Sequence, residues 1–293
     1  MMMKNNHTLM VGLALVCIIY SSSYISTHAH HHHQQRQQLS SQQQCHPVFD
    51  DNKSQYIIGY GSLIDEVSKR NTDDTAGTNY PIILSGYQRS WSVYGNLPGL
   101  NTIFLTVTYN ASSSFNGVIY KTINIISYDI REYIYCRLKV NETNLILLND
   151  TSNTLDINRQ IWIYTSKRSH DSNESKSGTT ATTTTSTTTT TTIPSRRFPI
   201  VQSYVDIFIR GCLNISKTYK YFDDSYAKMC ISSTSYWPIR RGEWINDRIF
   251  PRRPLIYEPM AREVDQLLYT MIPNSFKIIS FERSDNNNNK EEE

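Results

Sequence analysis

The stretch YIIGYGSLID, residues 56–65, changes midway from an apolar run to a glycine-rich and then polar one. Its first three residues are aromatic or β-branched, which predicts a strand that ends at the following glycines. The next segment, Tyr60-Gly61-Ser62-Leu63, predicts a tight turn whose exposed backbone N–H groups can hold a carboxylate or an oxyanion. An ordinary strand-ending turn is the alternative interpretation of the same residues.

Two common functional turns are excluded here. A P-loop requires a lysine followed by serine or threonine after the glycines, and no such pair follows Gly59 or Gly61. A nucleophile elbow requires the pattern G-x-S-x-G, which Ser62 does not fit, and no histidine stands nearby in the sequence to serve as its base. The turn is therefore a candidate for binding, not for phosphate cradling or nucleophilic attack.

The remaining periodicity predicts an α+β protein. Runs of β-branched and aromatic residues between turn residues predict strands at 55–59, 81–94, 103–109, 117–122, 135–140 and 160–165. Apolar stripes with helical spacing predict two helices, one carrying Val201, Val205, Phe208 and Cys212, the other Ala261, Val264, Leu267, Leu268 and Met271. A shorter helix is predicted at 125–132. Strands joined by few helices and long connections favour a small closed or strongly curved mixed β-barrel with flanking helices.

Charge offers no sign of an electrostatic partner. The chain has 293 residues and a formal net charge of +3. Its adjacent basic residues, such as Arg240-Arg241 and Arg252-Arg253, are too sparse for a nucleic-acid footprint. We therefore expect no nucleic-acid partner.

The N-terminus is typical of a secretory signal. Lys4 precedes a short apolar run, Leu9–Tyr20, which small polar residues follow. The run is too short to span a bilayer comfortably, and Ala29 provides a small residue for cleavage. The sequence thus predicts a signal peptide at 1–29 and a secreted or lumenal protein. An uncleaved membrane anchor is the alternative.

The sequons and the cysteines are also typical of a protein that enters the secretory pathway. N-x-S/T sequons begin at Asn52, Asn110, Asn141, Asn149, Asn173 and Asn214. Beyond the predicted signal lie Cys45, Cys136, Cys212 and Cys230, an even number that allows one or two disulfides. Four small buried hydrophobic residues are the alternative.

Three biased segments are predicted to lie outside the folded domain. Residues 30–46 are rich in His and Gln and form a low-complexity spacer. Residues 170–195 are dominated by threonine, which cannot bury an apolar face, so they predict a disordered insertion. Residues 282–293 form a polar tail. One domain, 47–281, interrupted by the insertion, remains.

Several motifs together resemble the γ-glutamylcyclotransferase-like family, which includes the AIG2-like and ChaC-like proteins. They are the turn YGSL at 60–63, the strand NGVIY at 116–120, the segment YDIREYIYC at 128–136 and the strand GYQRSW at 86–91. Further segments, QSYVD at 202–206, GCL at 211–213 and WINDR at 244–248, are similar to a longer-tailed, uncharacterised branch. Many relatives have glycine where Ile134 stands here.

The resemblance implies a β-barrel with helices and no cofactor. It also implies release of 5-oxoproline from a γ-glutamyl amine or peptide, by attack of the substrate's α-amine on its own γ-carbonyl. By position, Glu132 is the implied general acid and base, since a buried carboxylate suits that role. The turn Tyr60–Leu63 supplies N–H donors to the substrate. Tyr135 either closes the pocket over the substrate or packs in the core.

The implied partner is a small γ-glutamyl compound, with no stable membrane partner unless the N-terminal segment is an uncleaved anchor. A different class of function stays open. A catalytically inactive secreted glycoprotein could use the same fold to bind a small molecule or a protein. Ile134 and the predicted secreted or lumenal location, which is unusual for this family, favour this alternative. Glu132 beside Arg131 would then be a solvated ion pair.

Overall fold

A computed structural model describes residues 45–97, 100–148, 155–166, 193–249 and 258–280. The predicted signal peptide and the polar tail lie outside the described residues, as do most of the spacer and of the threonine-rich insertion. The described part starts at Cys45, two residues before the predicted domain boundary, and resumes after the insertion at Ile193. Within this part of the chain no helix is long and apolar enough to cross a bilayer.

The described residues form a mixed α+β structure. Its strands are β1 (Ser54–Gly59), β2 (Tyr80–Leu97), β3 (Leu100–Thr122), β4 (Tyr135–Lys139), β5 (Leu145–Leu147), β6 (Arg159–Ser166), β7 (Ile200–Val201), β8 (Thr234–Ser235) and β9 (Trp244–Ile245). Its α-helices are α1 (Glu66–Arg70), α2 (Ile125–Arg131), α3 (Gln202–Thr218), α4 (Ser225–Ser232), α5 (Ala261–Met271) and α6 (Pro273–Phe276). Short 3₁₀ turns span Ser62–Ile64, Glu142–Asn144, Lys220–Phe222 and Asp247–Ile249.

The main sheet has seven strands in the order β4-β6-β1-β3-β2-β5, with β8 also paired to β2. Most neighbours are antiparallel, but β1 runs parallel to β6 and β2 parallel to β8. The α+β class is therefore confirmed. The predicted closed barrel is not, because the described strands form an open path with β4 at one end and β5 at the other.

The sequence predicts two separate strands at 103–109 and 117–122, and the break between them is wrong. The strands predicted at 103–109 and 117–122 belong to a single long strand, β3, which pairs with β2 on both sides of the gap. The polar residues between them suggested a break, but they are accommodated by a register shift opposite the step from Ser85 to Tyr87 in β2. Such bulges bend a strand and increase its twist without ending it.

Nearly all the buried apolar side chains of the described residues form one core to which strands and helices contribute, and Val201 and Ile245 form a second, small cluster. Strand β1 lies in the middle of the sheet, and its Tyr56, Ile57 and Ile58 are buried, which explains the apolar run that opens the quoted stretch. Helix α3 covers the core with Val205 and Phe208, both fully buried. The turn that follows β1 is thus attached to a strand whose side chains are packed in the core.

Both pairs of cysteines form disulfides. One joins Cys45 to Cys136 at the start of β4, and the other joins Cys212 in α3 to Cys230 in α4. The first bond ties the N-terminal end of the described chain to the sheet, and the second ties two helices together. Of the two interpretations left open by the sequence, the structure has disulfides.

Candidate active site

The turn after β1 is held by close backbone contacts. Gly59 allows this, since a Cβ atom at that position would lie 2.8 Å from the carbonyl oxygen of Leu63. The chain then forms a 3₁₀ turn in which the N–H of Ile64 donates to the carbonyl of Gly61 at 3.0 Å. Leu63 and Ile64 are buried and anchor the turn in the core. Only a glycine fits at residue 59, because no other residue permits this approach.

All six predicted site residues line one pocket next to this turn. Glu132 and Tyr135 approach it from the segment that links α2 to β4, and they meet Tyr60, Gly61, Ser62 and Leu63 there. The pocket is completed by Ile58, Leu105, Tyr164 and Tyr204. Its volume is about 20 Å³, which is room for about one water molecule.

Glu132 follows the last residue of α2 and is largely buried, with 14% of its side chain exposed. Its Oε1 lies 3.0 Å from Nε of Arg131. Burial raises the pKa of Glu132, and the attraction of the Arg131 guanidinium offsets part of this rise. The pair is therefore not the solvated surface ion pair that the sequence left open, and Glu132 is a carboxyl whose proton affinity is increased.

Arg131 connects the pocket to the neighbouring helix. Its Nη1 donates to the carbonyl of Ser68 in α1 and to the hydroxyl of Thr72, both at 2.6 Å. Its Nη2 donates to the Ser62 hydroxyl at 3.0 Å. The same guanidinium thus contacts Glu132 and the turn, a role that the sequence did not reveal because these partners are distant in the chain.

The hydroxyls of three pocket tyrosines are held in place by hydrogen bonds to backbone carbonyls or to a carboxylate. Tyr60 donates to the carbonyl of Tyr164 at 2.6 Å, and Tyr135 donates to the carbonyl of Leu105 at 2.8 Å. Tyr164 donates to Oδ1 of Asp129 at 2.8 Å. These bonds make the three rings rigid walls. Tyr135 therefore both packs and lines the pocket.

Asp129 is the centre of a charged network behind the pocket wall. Its carboxylate accepts from Nε of Arg137 at 2.9 Å and lies 3.1 Å from Nδ1 of His46. Burial tends to raise the pKa of Asp129, but hydrogen bonds from His46, Arg137 and Tyr164 outweigh it and lower the pKa. The network links the N-terminal end of the described chain to the pocket. Asp129 belongs to the motif at 128–136, but its partner His46 is 83 residues away, so the network cannot be predicted from local patterns.

A buried arginine supports the turn from the opposite side. Arg89 in β2 is fully buried, and its Nη1 donates to the carbonyl of Tyr60 at 3.2 Å and to that of Asn116 at 2.7 Å. Burial lowers the pKa of Arg89 to about 9. Its contacts are those of a structural residue that fixes the backbone of the turn.

Tyr204 reaches the pocket from the first turn of α3, and sequence analysis did not identify it as a site residue. Its only signal was its place in QSYVD, the segment that resembles the longer-tailed branch. The hydroxyl oxygen lies 2.9 Å from where a Cβ atom on Gly61 would stand. Burial raises the pKa of Tyr204 to about 12, the charge of Glu132 adds to the rise, and hydrogen bonding from Ser62 opposes it.

Among the described residues, no group of three or more His, Cys, Asp or Glu side chains is arranged to hold a metal ion. The His run at 30–33 lies outside the described residues.

Comparison with known proteins gives distant structural neighbours. No protein-family model matches the chain, and no curated protein matches it in sequence. A γ-glutamyl cyclotransferase of known structure is 12% identical with a TM-score of 0.38, covering 58% of this chain and 84% of its own. An uncharacterized protein from Homo sapiens is 14% identical with a TM-score of 0.37, with the same coverages of 58% and 84%.

A yeast γ-glutamyl cyclotransferase specific to glutathione is 11% identical with a TM-score of 0.31, covering 61% of this chain and 97% of its own. The cyclotransferases among these neighbours belong to the family that the sequence motifs of this chain resemble.

Proposed function

We propose that the protein is a γ-glutamylcyclotransferase-like enzyme that releases 5-oxoproline from a γ-glutamyl amine or peptide. The observation that carries the proposal is the meeting of Glu132 with the turn Tyr60–Leu63 in one small pocket. A buried carboxyl of raised proton affinity next to a turn with backbone donors is the arrangement that the reaction requires.

In the proposed reaction the α-amine of the substrate attacks the γ-carbonyl carbon of the same molecule. The ionised Glu132 accepts a proton from the α-ammonium group, so that the nitrogen lone pair forms the new ring bond. The bond between the γ-carbon and the leaving amine then breaks as Glu132 returns this proton to that amine. The ring nitrogen gives up its second proton to become the lactam N–H, and that proton leaves with the amine as an ammonium ion. The reaction is balanced without an oxidant or a cofactor.

The turn has the complementary task of holding the substrate. Backbone N–H groups of Gly61 and Ser62 are proposed to bind the α-carboxylate or the oxyanion that forms on the γ-carbonyl. Arg131 links the two parts, since it contacts both Glu132 and Ser62. Because ring closure is intramolecular, holding the substrate close to the attack geometry supplies much of the acceleration.

We further propose a secreted or lumenal location, with residues 1–29 as a cleaved signal and 30–46 mainly as a spacer. Two disulfides support the proposal, because disulfides persist in oxidising compartments. An anchor formed by an uncleaved N-terminal segment is the alternative. The threonine-rich segment 170–195 is proposed to be an insertion dispensable for the fold.

The direct test is the release of 5-oxoproline from glutathione and a panel of γ-glutamyl amino acids by purified protein. We expect Glu132→Gln to reduce turnover by about a hundredfold or more, the usual loss when a general acid–base group is removed. Glu142→Gln is the matched control, since Glu142 also pairs with an arginine but lies exposed on the surface. Near wild-type turnover by Glu132→Gln would refute the assigned role.

The alternative function is a catalytically inactive secreted glycoprotein that binds a small molecule or a protein. Ile134 favours it, because many members of the family that the sequence resembles have glycine at that place, next to the pocket residue Tyr135. Absence of 5-oxoproline release from every member of the panel, together with binding of 5-oxoproline or a γ-glutamyl compound, would favour this alternative over the enzyme.

A further inference from the structure

The pocket is too small for the ligand that the proposed function requires, so one of its walls has to move. A volume of about 20 Å³ holds a single water molecule. A γ-glutamyl group alone is several times larger. The structure therefore describes a closed state, and the contacts of each wall indicate which side chain opens it.

Most of the wall is fixed. The hydroxyls of Tyr60 and Tyr135 are bonded to backbone carbonyls, and that of Tyr164 is bonded to the Asp129 carboxylate. Moving any of these rings would leave a buried acceptor without its donor, which is unfavourable. Glu132 is held by Arg131.

Tyr204 differs from these three tyrosines. Its hydroxyl faces the turn itself: it lies 2.9 Å from the position of a Cβ on Gly61, and it accepts hydrogen bonds from Ser62. Its ring is half-buried and contacts two other rings, with centroid distances of 5.1 Å to Phe104 and 5.7 Å to Trp91. The hydrogen bonds that hold its hydroxyl come from Ser62 in the turn, and a substrate oxygen at the same place can accept them instead, so displacing Tyr204 leaves no buried donor unsatisfied.

The backbone of Tyr204 is nonetheless anchored. The preceding residue, Ser203, donates its N–H to Oδ1 of Asp247 at 2.7 Å and its hydroxyl to Oδ2 at 2.6 Å. Farther along α3, Arg210 donates to both carboxylate oxygens of the buried Asp65, each at 2.9 Å. Because Asp65 follows the 3₁₀ turn directly, α3 and the turn are fixed to each other. Opening is thus a side-chain movement of Tyr204.

We propose that the Tyr204 hydroxyl occupies the oxygen-binding place on the Gly61–Ser62 turn in the free protein, an inference that rests on the proposed function. An oxygen of the γ-glutamyl substrate replaces it, and the Tyr204 ring moves aside to make room. Tyr204 therefore limits ligand affinity and the size of the group that the pocket admits, and the free protein is closed to ligands until this side chain is displaced.

The first test measures the turn without any ligand. If the Tyr204 hydroxyl covers the turn, Tyr204→Phe exposes the Ser62 amide, and its hydrogen exchange, followed by NMR, becomes faster. Tyr219→Phe is the matched control, since Tyr219 ends the same helix and its hydroxyl donates to the carbonyl of Asn79, away from this pocket. Unchanged exchange of the Ser62 amide in Tyr204→Phe overturns the proposal, whether or not the protein is an enzyme.

The second test measures 5-oxoproline binding by calorimetry. Because Tyr204→Phe removes a hydroxyl that competes with the ligand, we expect it to bind 5-oxoproline several-fold more tightly than the wild type. The affinity of Tyr219→Phe for 5-oxoproline should be unchanged. Weaker binding by Tyr204→Phe would show that the hydroxyl contacts the ligand instead of competing with it, and would overturn the proposal. If exchange becomes faster but neither protein binds 5-oxoproline, the covering role of Tyr204 is supported and the proposed function fails.

Discussion

Arg131 joins the candidate base to the glycine turn: its Nε lies 3.0 Å from Glu132 and its Nη2 donates to the Ser62 hydroxyl at 3.0 Å. One guanidinium thus contacts both the carboxyl and the turn, and its charge opposes the rise in the pKa of Glu132. Burial and the positive charge act on the pKa of Glu132 in opposite directions, and burial is the larger effect. The balance between them can be tested by removing the charge.

Replacing Arg131 by glutamine should move the acid limb of the pH–rate profile to higher pH. Because Arg131 lowers the pKa of Glu132, its loss lets burial raise that pKa further, and a higher pH is then needed to ionise the base. The profile of kcat/KM for 5-oxoproline release measures this. Arg70→Gln, which removes an exposed arginine of α1, is the control and should leave the limb in place. An unmoved limb in Arg131→Gln would contradict Glu132 as the titrating base.

Glu132→Gln should increase the stability of the fold at neutral pH. A carboxyl whose pKa is raised by folding stabilises the fold at pH below its unfolded pKa, and this contribution is lost as pH rises through the folded pKa. The neutral glutamine avoids that loss. We therefore expect a higher Tm than the wild type at neutral pH and a smaller difference at about pH 4, where the wild-type carboxyl is protonated as well. A lower Tm at neutral pH would show that the pair with Arg131 outweighs burial.

Asp129→Asn should be the most destabilising polar substitution near the pocket. It leaves the guanidinium of Arg137, 2% exposed, without its carboxylate and weakens the bonds from His46 and Tyr164. Breaking a buried ion pair from one side predicts a loss of about 3 kcal/mol in the free energy of unfolding. Denaturant unfolding with the disulfides intact measures this. Asp156→Asn breaks the exposed pair with Lys121 and should have no measurable effect.

The exposed sequons should carry glycans if the protein follows the secretory route. Asn52 lies in an exposed turn and Asn141 is exposed at the start of a 3₁₀ turn, whereas Asn214 is half-buried within α3. Protein expressed in eukaryotic cells should gain mobility after N-glycosidase treatment, and Asn52→Gln and Asn141→Gln should each remove one glycan. Asn214→Gln should change nothing. Full-length protein whose mobility the enzyme does not change would contradict the proposed route.

The local parts of this structure could be predicted from the sequence, and the distant contacts could not. The run Tyr56–Gly59 has the composition of a buried strand, and the stripe from Val264 to Leu268 has helical spacing, so both elements were placed correctly. Local patterns do not determine which strands are neighbours or whether a sheet closes, because those depend on contacts far apart in the chain. The open sheet and the continuous β3 are consequences of such contacts.

The candidate site divides in the same way. The turn and Glu132 were found because each belongs to a motif that can be read within a few residues. Tyr204 and Asp129 were missed because their roles depend on side chains that arrive from distant segments, such as Gly61 for Tyr204 and His46 for Asp129. The disulfides were left open for a similar reason, since Cys45 and Cys136 are 91 residues apart and their pairing follows from the fold.

Gly61 and the Tyr204 hydroxyl are close enough for a substitution at either residue to change the other's packing. A Cβ on Gly61 would stand 2.9 Å from the Tyr204 hydroxyl, so Gly61→Ala should push that ring away and destabilise the fold. Removal of the hydroxyl in Gly61→Ala/Tyr204→Phe should restore much of the loss, because the oxygen that causes the clash is gone. Unfolding of the wild type, both single variants and the double variant measures the coupling, which for residues in contact is about 0.5–3 kcal/mol. Additive effects would show that the Tyr204 hydroxyl does not rest on the turn, and the closed pocket would then need another explanation.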